Sequence, residues 1–347
     1  MKTAFIRNGA LVAAFGSALF LASCKTEEPP PPPPPPPPPA MALSSGVVQA
    51  AAAYRNYVRE ASSIPATFPD AASIQTGLTR GAAYEPNELA RGAVAYAAVL
   101  ALQDPAFVQG VKTLGADANN RASVTRQLFS DPAYAAQLPG ASSAAGTIIA
   151  NLGADGRQLY AAGSAIKQTA YDIQRQLWSR EYVANRDARL ATAKRISTLP
   201  MAGNTADTSM LMQAAMSGQG LALTGQTASP PYTEAVVRGM AIAALAVLGA
   251  AGDENAVQIN ALLADSAGPY CLRISKLNLY QCLAVAKPHY EDVFCLGQHV
   301  LMDAGACVTK ISGAAPLPAW SRTTIAAAPD AAAASRNAAA TAPRSRK

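Results

Sequence analysis

Aromatic and charged side chains are scarce in this sequence of 347 residues. Aromatic residues make up 6% of the chain and charged residues 14%, whereas hydrophobic residues, of which alanine is the most frequent, make up 50%. Runs of alternating β-branched residues, which would indicate strands, are nearly absent. Because alanine is the strongest helix former, the composition predicts an all-α fold. We expect a multi-helix bundle whose helices pack through small side chains.

Histidine occurs only twice, and the motifs of several common enzyme classes are missing. The chain has no glycine-rich phosphate loop, no G-x-S-x-G elbow and no H-E-x-x-H helix. These absences favour a non-enzymatic protein without a cofactor. The alternative is a peptidoglycan-modifying enzyme that uses a single glutamate, for which Glu60 is the nearest candidate. A lone glutamate on an amphipathic helix is more often a solvated charge, so no catalytic residue is assigned.

The basic balance of the chain comes from its C-terminal end. The formal net charge is +6, yet the part from Cys24 to Trp320 contains 21 basic and 21 acidic residues. Residues 313–347 are rich in Ala, Pro, Ser, Thr and Arg, and they predict a disordered basic tail. A neutral body lacks the basic field that binds nucleic acid, so no nucleic-acid partner is expected.

The N-terminus has the pattern of an export signal. Lys2 and Arg7 precede a short apolar run, residues 9–21, which is too short to span a membrane as a helix. The apolar run ends in the tetrapeptide LASC, residues 21–24, which resembles the lipobox of bacterial lipoproteins. The resemblance implies a signal peptide over residues 1–23, cleavage before Cys24, and lipid on that cysteine.

Residues 24–44 form the predicted tether. Lys25 stands where enteric lipoproteins of the inner membrane carry aspartate, so the resemblance implies the outer membrane. Eleven consecutive prolines, Pro29 to Pro39, predict a polyproline II rod. At about 3.1 Å per residue this rod is roughly 34 Å long, which suits a semi-rigid spacer. A ligand for a proline-binding partner is the alternative interpretation.

The body, residues 45–312, is predicted to be one all-helical domain. Asn87 is the expected cap of a helix that continues to Leu102, with Glu88 paired to Arg91. The Asp-Pro pairs at 104–105 and 131–132 also predict helix starts.

Two further segments of the body carry helical patterns. The proline-free stretch 140–199 predicts one long helix or two, with a buried seam that includes Leu159, Gly163 and Leu177. Residues 239–252 are too few to span a membrane and predict a buried central helix.

Four cysteines remain in the body, and they fall within residues 269–307. An even number in an exported protein predicts two disulfides, with three possible connectivities. The flanking pattern predicts two helices, 269–286 and 290–303, joined by a turn at 287–289. The fold class is therefore refined to a bundle with a disulfide-stapled helical hairpin at its C-terminal end.

The spacing selects one of the three connectivities. Cys271 and Cys282 lie about 16 Å apart along one helix, beyond the roughly 7 Å limit between Cα atoms for a disulfide. Partners in an antiparallel hairpin lie symmetrically about its turn, and this symmetry pairs Cys282 with Cys295 and Cys271 with Cys307 around Pro288. The arrangement resembles the twin-cysteine hairpins of mitochondrial intermembrane-space proteins in architecture, without implying kinship.

The same hairpin contains weak candidates for metal ligands. Cys295, His299 and Asp303 recur every four residues, and His289 lies in the turn before this helix. Because the cysteines are predicted to be oxidised and the paired C-x-x-C spacing of zinc sites is missing, no metal is expected.

These features together predict a lipid-anchored protein of the outer membrane that faces the periplasm or the cell surface. We expect a non-enzymatic binding or scaffolding role in an envelope assembly. The expected partners are the membrane, through lipid on Cys24, and an envelope protein or the cell wall. A flat apolar patch would favour this role, whereas a buried glutamate in a groove would favour the enzyme.

Overall fold

The structure is a computed structural model that describes residues 40–322, except for residues 222 and 224. The predicted signal peptide, the lipidation site Cys24, the proline run and residues 323–347 lie outside the described residues.

The described chain is all-α, as the composition predicts. It contains thirteen α-helices, some short 3₁₀ turns and one π-helical segment, and no β-strand is assigned between residues 40 and 322. The helices are α1 Ser45–Ser62, α2 Ala71–Gly81, α3 Pro86–Ala101, α4 Pro105–Leu114, α5 Ala118–Ser130, α6 Ala141–Asp172, α7 Arg186–Ile196, α8 Thr205–Ser217, α9 Glu234–Val247, α10 Ala256–Leu262, α11 Ala267–Val285, α12 His289–Cys295 and α13 Asp303–Ser312.

Short polar side chains cap several helix starts. Asp104 accepts a hydrogen bond from the amide of Phe107 at 2.8 Å and begins α4, as predicted. The matching Asp131 begins only a 3₁₀ turn, Pro132–Gln137, so the second start is not an α-helix.

The predicted start of α3 is wrong. Its cap is Glu85, whose carboxylate accepts a hydrogen bond from the amide of Glu88 at 2.8 Å. Pro86 takes the first helical position, which suits a residue without an amide hydrogen, and this places the cap two residues before Asn87. Arg91 binds Asn260 instead of Glu88.

The long helix α6 ends earlier than the seam predicted. Leu159 and Gly163 are buried, but Leu177 is 83% exposed. Two 3₁₀ turns, Ile173–Arg175 and Trp178–Arg180, follow α6 and redirect the chain, so the seam does not extend to Leu177.

Small side chains allow the central helices to approach closely. α3 and α9 are buried along most of their length. α9 contains the first part of the apolar segment 239–252 that was predicted as a buried helix, but it ends at Val247. A Cβ atom on Gly239 of α9 would lie only 2.5 Å from the Cβ atom of Ala97 in α3. A Cβ atom on Gly92 would lie 2.7 Å from that of Tyr54 in α1. The core thus consists of backbones in near contact.

The C-terminal hairpin has the predicted disulfides. Cys271 pairs with Cys307, and Cys282 pairs with Cys295, with Cα atoms 5.7 and 5.8 Å apart. The first arm is α11. The second arm is longer than predicted, because the π-helical segment Leu296–Met302 joins α12 to α13 and the arm ends at Ser312.

The two ends of the described chain are held by different helices, α9 and α6. Just before α1, the amide of Ala42 donates to the carbonyl of Ala246 at 3.1 Å. At the other end, the ring of Trp320 stacks on that of Tyr171, one residue before α6 ends. Residues 313–322, the first part of the predicted disordered tail, therefore lie against α6 instead.

No single helix of the described part of the chain is long and apolar enough to cross a bilayer. α3 and α4 together have the length and apolar composition of a membrane span, but the two helices meet at a bend of 81°.

Candidate functional site

The outer side of α11 carries a row of exposed apolar side chains. Tyr270, Ile274 and Leu277 are 64%, 40% and 48% exposed. Their steps of four and three residues place them on one side of the helix. Beside them lies a groove of about 420 Å³ between α11 and α13, which the outer disulfide also lines. We call this surface, Tyr270, Ile274 and Leu277 with the adjoining groove, the α11 face.

The charges around the α11 face are mainly positive. The sequence of α11 contains no acidic residue, and Arg273 and Lys310 are exposed beside the face. Asp303 lines the groove, but its carboxylate accepts hydrogen bonds from Gln298 at 2.8 Å and pairs with His299 at 2.9 Å. Arg273 donates to the neutral side chain of Asn87 at 3.0 Å. The face therefore offers apolar area next to two cationic side chains.

A buried lysine holds the inner side of α11. The ammonium group of Lys276 donates to the carbonyl of Ala82 at 2.6 Å and to the hydroxyl of Ser197 at 2.9 Å. It also lies 3.5 Å from the centre of the Tyr84 ring. Burial lowers the pKa of Lys276 well below its ordinary value. Ala82 and Ser197 follow the last residues of α2 and α7, so two negative helix ends stabilise the cation.

A buried ion pair fixes the turn of the hairpin. Arg189 of α7 donates to the carboxylate of Asp292 in α12 and to the carbonyl of Leu283 in α11, and both charged side chains are almost fully buried. Burial is the main cause that raises the pKa of Asp292 from 3.8 to about 6, against the opposing effect of the Arg189 guanidinium. One arginine thus connects α7 to both arms of the hairpin.

Glu60 lines a different groove, of about 410 Å³, beside α1 and α2. Its side chain is 48% exposed, and its carboxylate lies 3.0 Å from the guanidinium of Arg80 and 3.9 Å from that of Arg59. A general acid must keep its proton near neutral pH, which requires burial away from cations. Glu60 is about half exposed and lies beside two guanidinium groups, so its position meets neither condition.

Of the weak metal candidates, the structure brings only His299 and Asp303 into contact. Cys295 is bound in a disulfide and His299 pairs with Asp303. His289 begins α12, and its ring lies 6.4 Å from that of Trp178. Burial lowers the pKa of His289. Within residues 40–322, no group of three potential ligand side chains is close enough to hold a metal ion.

Comparison with protein-family models, with curated proteins and with solved structures finds no match to this chain. The choice of the candidate site therefore depends on its exposure, charge and shape.

No functional role was predicted for Tyr270, Ile274 or Leu277 from the sequence pattern. A signal was present, because α11 has apolar residues on both sides, with Leu279 and Leu283 on the buried one. A surface helix usually carries its apolar residues on one side only, so an excess on the second side indicates an interaction surface.

Proposed function

We propose that the protein is a lipid-anchored, non-enzymatic binding protein of the bacterial cell envelope. Lipid on Cys24 anchors it in the outer membrane, and residues 25–44 hold the helical domain away from the lipid surface. The domain faces the periplasm or the cell surface, where disulfides persist. Its partner is a protein of an envelope assembly that binds at the α11 face.

The observation that carries this proposal is the exposed row of Tyr270, Ile274 and Leu277 beside a groove. Large apolar side chains grouped on one surface mark binding sites more often than isolated ones do. The row stands on a helix that two disulfides and Lys276 fix to the domain. A prearranged surface loses little conformational entropy when a partner binds.

The chemistry of the α11 face indicates the kind of partner. Side chains spaced by four and three residues form a ridge that packs against an amphipathic helix. Arg273 and Lys310 favour acidic residues on that helix, because charge complementarity steers association and suppresses wrong partners. We therefore infer an amphipathic helix with acidic residues beside its apolar side.

Crosslinking in intact cells tests the binding site. A photo-reactive amino acid at Leu277 of the full-length protein should capture one envelope protein through an acidic amphipathic segment. Ile274→Asp, with the probe still at 277, should lower capture about tenfold or more, since it replaces a buried contact with a charge. Val257→Asp is the matched control, because Val257 is 82% exposed on α10, and it should leave capture unchanged.

Equal capture by the natural protein and Ile274→Asp would contradict the proposed site. Crosslinks only to lipid, or only to a second copy of the chain, would contradict the proposed partner.

The anchor has a separate test. Cys24→Ser should release the protein from the membrane fraction and remove the mass of the attached lipid. A Cys24→Ser protein that stays with membranes at the mass of the natural form would overturn the lipid anchor. That result would not bear on the α11 face, which the crosslinking experiment tests separately.

A further inference from the structure

A second groove lies at the turn end of the hairpin, away from the α11 face. It has a volume of about 390 Å³ and lies between α6, α11 and α12. Its walls include the side chains of Tyr171, Val285, Tyr290 and Phe294. The Val285 wall is apolar and is 74% exposed when only the described residues are considered. We call it the α12 groove.

The C-terminal segment of the described chain leads towards this groove along α6. The hydroxyl of Tyr160 donates to the carbonyl of Pro318 at 2.8 Å. Two residues later, the ring of Trp320 stacks on Tyr171 with ring centres 5.6 Å apart. The ammonium group of Lys167 lies 4.1 Å from the centre of the Trp320 ring, which adds a cation–π contact.

The last described residue extends this path to the mouth of the α12 groove. The guanidinium of Arg322 lies 4.7 Å from the centre of the Tyr171 ring. Tyr171 is also a wall of the groove, and its ring meets that of Phe294, a second wall, edge to face at 6.2 Å. The described chain therefore ends beside the groove.

The sequence beyond Arg322 matches the groove in chemistry and reach. Ile325 is the only large apolar residue in 323–347. Three residues of extended chain span at most about 10 Å. Arg322 already contacts Tyr171, which is a wall of the groove, so the path to Ile325 starts beside it. An isoleucine side chain is of the size and polarity that an aromatic and aliphatic groove of this volume accepts.

We propose that residues 323–328 bind in the α12 groove, with the side chain of Ile325 between Val285, Tyr290 and Phe294. The C-terminal segment is then an internal ligand of the hairpin. Trp320 anchors it on α6, and Ile325 is the side chain that enters the groove. A partner that uses this groove has to displace Ile325 with an apolar side chain of its own. This proposal is independent of the α11 face and of the lipid anchor.

Crosslinking within the full-length protein tests the proposal. A photo-reactive amino acid in place of Val285 should crosslink to the tryptic peptide 323–336 of the same chain. Ile325→Asp should reduce that crosslink about tenfold or more, because burying a charge in an apolar groove is unfavourable. Thr324→Asp is the matched control, since neighbouring residues of an extended segment point to opposite sides and this change should leave the crosslink in place.

The outcomes separate the possible occupants of the groove. A dominant crosslink to peptide 323–336, lost in Ile325→Asp and kept in Thr324→Asp, supports the proposal. Crosslinks of doubled mass would assign the groove to a second copy of the chain and overturn it. Equal yields in the natural protein and Ile325→Asp would also overturn it. Ile325 lies outside the described core, so circular dichroism should show the same fold in all three proteins.

Discussion

α3 and α9 contact each other through small side chains, whereas α11 and α12 are joined by covalent bonds and a buried ion pair. In the first region, Gly239 and Ala97 bring two backbones together over many weak contacts. In the second, the Cys282–Cys295 bridge and the Arg189–Asp292 pair concentrate stability in a few groups. The alanine-rich core should therefore tolerate single changes that add no atoms, while the hairpin should lose much from single deletions.

The largest effect is expected from breaking the ion pair of the hairpin. Asp292→Ala leaves the Arg189 guanidinium buried without its carboxylate, which should lower the free energy of unfolding by about 3–5 kcal/mol. Urea unfolding followed by circular dichroism measures this change. Asp187→Ala, at an exposed position on the same helix as Arg189, should cost less than about 1 kcal/mol. Similar losses in both variants would show that the pair does not carry the stability of the turn.

Removal of the outer disulfide should have the next largest effect. The paired change Cys271→Ala and Cys307→Ala opens a connection between residues 36 apart in sequence and should cost about 2–4 kcal/mol. The same change in the inner pair, 13 residues apart, should cost about 1 kcal/mol less, because a shorter loop restricts the unfolded chain less. Thermal unfolding of both paired variants compares them. A greater loss from the inner pair would contradict the loop-length account.

The hairpin should also respond to pH through Asp292. Burial raises the pKa of Asp292 in the folded protein to about 6, above its ordinary value of 3.8, so the folded state binds this proton more tightly than the unfolded state. The stability from this carboxyl is thus fully present below about pH 4 and is lost as pH rises through 6, by about 3 kcal/mol at most.

Urea unfolding of the natural protein and of Asp292→Asn across this range isolates the effect of Asp292. As the pH rises from 4 to 7, the natural protein should lose unfolding free energy relative to Asp292→Asn. A constant difference would show that the pKa of Asp292 is not raised by folding.

The smallest change in stability is expected from a substitution in the alanine-rich core between α3 and α9. Gly239→Ala adds a Cβ atom 2.5 Å from that of Ala97 and should cost about 1–3 kcal/mol through overpacking. Gly46→Ala on α1 is the control, because no atom lies within 4 Å of its added Cβ atom. That change should stabilise the protein by about 0.5–1 kcal/mol through helix propensity. Stabilisation by both changes would mean that the contact between α3 and α9 is looser than the structure has it.

Much of the hairpin could be predicted because its evidence is local. The spacing of four cysteines around Pro288 is a property of one short segment, and helix geometry converts it directly into a pairing. The partners of Lys276 and Arg189 were out of reach, since Ala82 and Asp292 are separated from them by 194 and 103 residues. Nothing in a local pattern indicates which distant helix end meets a buried lysine.

The candidate site could be predicted only in part for the same reason. Helical periodicity shows that α11 has apolar residues all round, but it does not show which side faces the core. The exposed row is defined only once α3, α7 and α13 have covered other sides of α11. Glu60 was a candidate in the sequence, but its ion pair with Arg80 depends on how α1 and α2 pack, which no local pattern shows.

By itself, the sequence determined the helical class and the disulfide pairing, since helix propensity and cysteine spacing act over a few turns of chain. Tertiary structure decided which side of α11 stays exposed, where the buried charges find their partners, and that residues 313–322 follow α6 to the α12 groove. Those outcomes depend on contacts between segments far apart along the chain, and such contacts form only when the helices pack together.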